Sequence, residues 1–168
     1  MSKTLLITDE IASQFICNPD DGILIWNVNK SRVTKGRAVT HINADGYLGV
    51  RVKSIMYLAH RICYYIYYRE NPNDLLDHIN NNKTDNRKIN LRECNRSENA
   101  MNQKKRPNNT SGITGVYFNK KRNKWIARIT FNRKMIVLGS SKDKYVAARI
   151  RKEGEKKYFG EFRYKGDL

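Results

Sequence analysis

Long apolar runs are missing from this sequence. Its 168 residues contain no stretch of about 18 apolar positions, which excludes a membrane-spanning helix. Cysteine is sparse: Cys17, Cys63 and Cys94 stand far apart and form no Cys-x-x-Cys pair. That spacing argues against a disulfide framework and against a cysteine-ligated zinc site. Proline is equally rare, and Pro107 is the only one in the second part of the chain. The first residues, MSKTLLITDEIASQF, reach Asp9 and Glu10 before an apolar core develops, so no secretory signal is readable. A reduced, cytoplasmic chain is the expectation.

Acidic residues are the most telling shortage. Sixteen Asp and Glu face 33 Lys and Arg, a formal charge of +17, and the mean hydropathy is −0.75. Such a field selects a polyanion as partner, nucleic acid first and anionic membrane second. The excess is unevenly spread. Residues 1–102 hold 14 basic and 11 acidic side chains, net +3, whereas residues 103–168 hold 19 and 5, net +14. Two modules with different tasks are implied. Their boundary is expected in the loop-like, basic segment 103–111, QKKRPNNTS.

The first module reads as strands, a helix and a polar segment. Asp20-Asp21-Gly22 is a turn signal before the strand-like Ile23-Leu24-Ile25-Trp26. Asp45-Gly46 precedes Tyr47 to Val52, and Ile55 to Leu58 follows after two residues, which predicts a hairpin. Leu58, Ile62 and Ile66 then recur at i, i+4, i+8 beside Cys63 and Tyr67, one face of a helix that Asn71-Pro72 terminates. In the second module Gly115 to Phe118 reads as a strand. Lys124 to Phe131 alternates, with Trp125, Ala127 and Ile129 on one face and Lys124, Ile126, Arg128 and Thr130 on the other. Lys134 to Leu138 forms a third strand, and Ser141 is the expected cap of a helix running to about Tyr158.

The chemistry concentrates in residues 77–102, DHINNNKTDNRKINLRECNRSENAMN. Asp77 supplies a charged oxygen and Asn99 an amide oxygen, donors suited to a hard divalent cation such as Mg²⁺. His78, with a reference pKa of about 6.5, can take a proton from water near neutrality. Asn95-Arg96-Ser97-Glu98 has the form of a capping box and places Asn99 in a first helical turn. A base, an ion and a basic surface describe phosphodiester hydrolysis.

This segment resembles HNH endonucleases, in the branch with Asp-His for the paired histidines and Asn for the last His. The resemblance rests on Asp77-His78-Ile79-Asn80, Thr84-Asp85-Asn86, Asn90-Leu91-Arg92 and Glu98-Asn99. Upstream it takes in Asp21 to Trp26, Gly46-Tyr47-Leu48 and Leu58-Ala59-His60-Arg61. It implies a ββα-metal core over about 74–103, with His78 as general base and Asp77 and Asn99 as ligands to Mg²⁺ or alternatively Mn²⁺. Asn102, one turn on, is the alternative helix ligand. Asn90 would be the central Asn, tying the loop that holds the His78 strand. Asn80-Asn81-Asn82 stands where relatives commonly carry Gly. His60 reads as a core histidine at a helix start before it reads as a phosphate contact, and His41 is assigned nothing. Tyr64, Tyr65, Tyr67 and Tyr68 read as helix packing before base stacking.

The second module resembles the plant ethylene-response-factor type of DNA-binding domain, which also occurs on phage-borne HNH nucleases. The matching residues are Ser111-Gly112, Gly115-Val116-Tyr117, Lys124 to Ile129, Leu138-Gly139 and Ala147-Ala148. The resemblance implies that the open sheet face enters the major groove, with Tyr117, Asn119, Lys124, Ile126, Arg128 and Thr130 on it. Arg128 is the candidate for a guanine contact. Lys120, Lys121, Arg122, Arg133 and Lys134, at strand ends, are candidates for phosphates. Tyr117 departs from the Arg that plant members usually carry.

The expected fold class is α+β: a β-rich nuclease domain over 1–103, a linker over 104–110, and a three-stranded antiparallel sheet on one helix over 111–168. The expected function is a metal-dependent, homing-type DNA endonuclease in a bacterial cytoplasm, binding double-stranded DNA as monomer or homodimer without a membrane or protein partner. A non-catalytic DNA-binding regulator with a degenerate HNH motif is the alternative. An RNA-binding protein, favoured by charge and tyrosines alone, is the third.

Overall fold

The computed structural model describes residues 5–30, 32–103, 105 and 107–164. The chain divides into two compact units, Met1–Asn95 and Arg96–Leu168. This division falls ahead of the expected linker 104–110, of which residues 104 and 106 lie outside the described set. The reason is local. The short helix over Arg96–Met101 approaches the 3-10 turn Gly160–Phe162, so it belongs with the second unit.

In the first unit, helix α1 (Asp9–Ala12) leads into strands β1 (Phe15–Cys17) and β2 (Leu24–Trp26), which pair antiparallel. The sequence pattern anticipates β2 but neither α1 nor β1, which are too short to show a period. β3 (Gly49–Val52) and β4 (Ile55–Leu58) form the expected hairpin, turning at Lys53 and Ser54, with φ of 48° and 68°. Positive φ at both central residues is the turn that matches strand twist.

Helix α2 (Ala59–Tyr68) presents Ile62 and Cys63, both wholly buried, as the periodicity required. It stops with Arg69 in the left-handed region (φ 59°), just before Asn71-Pro72. Around it close Phe15, Trp26, Val52, Tyr57 and Leu91, with the Phe15 and Trp26 rings 4.4 Å apart. The three cysteines are buried, with Cys17 Sγ 2.7 Å from Cys63 Sγ. A last antiparallel pair, β5 (Leu75–His78) and β6 (Leu91–Cys94), completes the unit.

The second unit opens with α3 (Arg96–Met101) and contains the sheet β7 (Val116–Asn119), β8 (Lys124–Phe131) and β9 (Lys134–Ser141) in sequential antiparallel order. Helix α4 (Lys144–Phe159) packs on one face through Ala147 and Ile150, against Val116, Ala127 and Leu138. Two expectations need correcting. The third strand does not end at Leu138 but runs to Ser141, because the β8–β9 register shifts between Ala127 and Arg128. That bulge lets Leu138 and Gly139 both turn toward α4: a Cβ on Gly139 would meet Ile150, and Leu138 already fills the space beside Gly154. Nor is Ser141 the helix cap. Asp143 accepts from the backbone N–H of Tyr145 and Val146, while Ser141 Oγ accepts from Asp143 N–H. A carboxylate at this end also complements the helix dipole. Among the described residues no helix is long and apolar enough to cross a membrane.

Candidate nuclease site

The β5–β6 register places Asp77 directly opposite Arg92 and His78 opposite Leu91. Leu76, Asp77 and His78 are buried in succession, so both faces of this strand are covered. A buried carboxylate requires a partner. Arg92 supplies it, with Nε at 3.0 Å and Nη2 at 2.8 Å from Asp77 Oδ2. The contact fixes the rotamer of Asp77.

His78 is 3% exposed, and its Nε2 lies 3.0 Å from Asn86 Oδ1. With Asn86 Oδ1 as acceptor, Nε2 is the donor in this contact. Burial lowers the His78 pKa from its ordinary value. The Asn86 hydrogen bond and the Asp77 charge oppose that shift without cancelling it. The imidazole is therefore neutral at neutral pH, the form a general base needs.

The loop between the strands is held from within. Asn90 Oδ1 accepts from Asn80 N–H at 3.0 Å, and Asn90 Nδ2 donates to the Asp85 carbonyl at 2.7 Å. Arg87 bridges both oxygens of Asp85, at 2.8 and 2.6 Å. Asn81 adopts φ 58°, a left-handed conformation that Asn tolerates better than other side chains. From outside the loop, the Tyr67 hydroxyl lies 3.1 Å from the Asn86 carbonyl, and Lys88 N–H donates to the Pro19 carbonyl at 2.9 Å. The carrier of the His78 hydrogen bond is thus clamped by α2 and by the β1–β2 connection.

His60, the second residue of α2, sets its ring edge-on to His78 with centroids 5.3 Å apart, and Tyr47 lies against both. It is 5% exposed, packed between His78 and Tyr47. Its Nδ1 has no hydrogen-bond partner, and burial, His78 and Arg61 together push its pKa down to about 3. Lys83 is exposed, donates to the Asp45 carbonyl at 2.7 Å and lies 4.6 Å from the Tyr47 ring centroid, a cation at the rim of this cluster. Three of the α2 tyrosines have polar partners within the unit. Tyr64 bonds Glu93, Tyr65 bonds Asp9 at 3.0 Å, and Tyr67 bonds backbone.

Asp77, His78 and Asn90 lie in the first unit; Asn99 and Asn102 lie in the second. Asn99 is exposed on α3, and Asn102, just past it, is 2% exposed. No group of three or more His, Cys, Asp and Glu gathers among the described residues; the expected ligands are the Asp77 carboxylate and the side-chain amide of Asn99 or Asn102. Hard donors of this kind suit Mg²⁺ or Mn²⁺, with water and phosphate oxygens completing the shell. Sequence reasoning passed over Asn86, Arg92, Tyr47 and Lys83 as site residues. Arg92 was accessible in principle, because a β5–β6 hairpin pairs it with Asp77; Asn86 and Tyr47 are brought to His78 only by the loop and by packing.

On the sheet of the second unit, Tyr117, Lys121, Arg122, Lys124, Arg128, Thr130 and Lys134 are exposed and Asn119 is half-buried. Ile126 is not available as expected. It is 5% exposed, at the centre of the middle strand with Tyr117 and Ser140 beside it in register.

Residues 57–101 match the family model described as HNH endonuclease; the match ends before residues 103–168. It takes in α2, β5, β6 and α3, and it supports a nuclease-type, DNA-cleaving function for a chain built around this site. No curated protein and no solved structure matches the chain.

Proposed function

We propose that this chain is a metal-dependent DNA endonuclease of the homing type, with its nuclease site at Asp77 and His78 and its basic sheet bound to duplex DNA. The observation that carries the reading is the buried His78, held through Nε2 by Asn86 beside an Asp77 oriented by Arg92. His78 Nδ1 takes a proton from the attacking water. Asp77 would hold a divalent ion, Mg²⁺ or Mn²⁺, for which Asn99 or Asn102 is the expected second ligand. When bound, that ion supplies positive charge against the phosphate and the leaving 3′ oxygen. Asn90 keeps the loop, and with it Asn86, in place. Lys83 offers a cation to the phosphate backbone. A phage or mobile-element setting accords with the resemblance of the second module to DNA-binding domains found on phage HNH nucleases.

On the sheet, Arg128 is the base-reading candidate, Tyr117, Asn119, Lys124 and Thr130 flank it, and Lys121, Arg122 and Lys134 meet phosphates. One site per chain nicks one strand, and a homodimer cuts both. A single observation favours the second reading, a non-catalytic DNA-binding regulator: the Asp77 carboxylate already pairs with Arg92. Plasmid nicking in Mg²⁺, with and without chelator, separates the two. Chelator-sensitive nicking that His78→Ala abolishes, while binding persists, supports the nuclease; binding without nicking under any divalent ion supports the regulator.

A further inference from the structure

The outward face of the β7–β8–β9 sheet carries more apolar surface than phosphate binding explains. Arg128 pairs with Val137 and Thr130 with Met135, so these four side chains share the face turned away from α4. Met135 and Val137 are each 62% exposed, and Tyr117 is 36% exposed. The Arg128 guanidinium lies 4.7 Å from the Tyr117 ring centroid, and its Nη1 is 3.3 Å from Met135 Sδ. The cation is therefore braced between an aromatic ring and a thioether, and an arginine already ordered loses less freedom on binding. Around the apolar centre stand Lys121, Arg122, Lys124 and Lys134, all exposed, in a segment of net charge +14. Positive charge at the rim is complementary to a polyanion and unfavourable for a second copy of the same face.

The thymine 5-methyl is the apolar group that base pairs present in the major groove. We infer that this face reads thymine methyl groups through Met135 and Val137, next to a base contact by Arg128, so that the preferred duplex carries thymine at defined positions. The inference rests on the reading that this sheet binds duplex DNA, and it names what that surface recognises.

The test uses the full chain in chelator, so that DNA stays intact. Duplexes are selected from a random pool, then resynthesised with uracil in place of thymine, which keeps base pairing and removes only the methyl. Binding is measured at elevated salt to suppress the phosphate contribution. Each buried methyl is worth about fourfold in affinity. The uracil duplex should therefore bind about fourfold more weakly for one contact and more than tenfold for two. The variant M135S/V137S, altered only at exposed positions, should bind both forms equally. Absence of enriched sequences, or equal affinity of the wild type for both forms, overturns the inference. If replacing Lys121, Arg122 and Lys134 by Ala leaves binding unchanged, the sheet is not the DNA surface and the inference falls with that reading. If those replacements weaken binding while thymine and uracil remain equivalent, methyl readout alone falls. A dimer in sedimentation that M135S/V137S dissociates assigns the face to self-association and overturns it as well.

Discussion

Two imidazoles meet edge-on in the first unit, and their surroundings assign them opposite work. Burial lowers the pKa of His78, while its Asn86 partner at Nε2 and the Asp77 charge oppose that shift. Replacing it by Ala should leave DNA binding intact and lower single-turnover cleavage by ~10²–10⁴-fold, the usual worth of a general base. Unchanged cleavage would remove His78 from the mechanism. His60, by contrast, has an unpartnered Nδ1 and a pKa pushed down to about 3. Its folded pKa lies below the unfolded value, so between pH 6.5 and 3 the unfolded chain binds the extra proton. Stability from this group is complete above pH 6.5 and drains away as pH falls toward 3. The loss amounts to about 2 kcal/mol by pH 5. His60→Phe, which keeps a ring and discards the titration, should flatten the pH dependence of urea unfolding over that window. An unaltered slope would mean that His60 titrates normally. The difference between the two histidines is one of environment, which is why the sequence could weigh packing against a phosphate contact for His60 without a physical reason for either.

At the scale of elements, the site is a hairpin with an over-determined loop. The hydrophobic alternation and turn signals were enough to anticipate β2, the β3–β4 hairpin, α2 and the three-stranded sheet on its helix. They failed where the cause is non-local. The β9 bulge turns both Leu138 and Gly139 toward α4, and no period announces it. Ile126 alternates outward yet is buried, because the middle strand has neighbours on both sides. Gly22 shows how distant elements set the loop. Its φ is +68°, and an added Cβ would sit 2.2 Å from the Arg87 backbone nitrogen, next to the residue that holds His78. Gly22→Ala should destabilise the fold by at least about 2–3 kcal/mol, since strain and a backbone clash act together. Gly36→Ala is the matched control, with φ +89° and nothing within 4 Å, and should cost only the left-handed penalty of about 1–2 kcal/mol. Equal losses in urea unfolding would show that the close approach of Gly22 to Arg87 does not matter.

At the scale of the molecule, the division of charge is the dominant feature: net +3 over residues 1–102 and net +14 over residues 103–168. If the sheet of the second unit meets phosphates through Lys121, Arg122 and Lys134, each replacement by Ala should lower the slope of log affinity against log salt by about 0.9. The loss should be similar for every duplex sequence, because phosphates carry no sequence information. Arg128→Ala should instead act unequally on different duplexes. Identical salt slopes in wild type and triple variant would move the binding surface elsewhere.

Residue order alone determined the chemical inventory of this protein: a polyanion-seeking charge, an Asp-His pair with its Asn-rich loop, and alternation that separates two kinds of module. These properties are local or additive, so they survive without coordinates. What only the tertiary structure decided is the Asn86 contact at His78 Nε2, the burial that lowers the pKa of His60, where the described chain divides, and which outward residues of the sheet are exposed. Each depends on atoms far apart in the chain meeting in a water-poor interior, where a single hydrogen bond or an added neighbour changes the outcome.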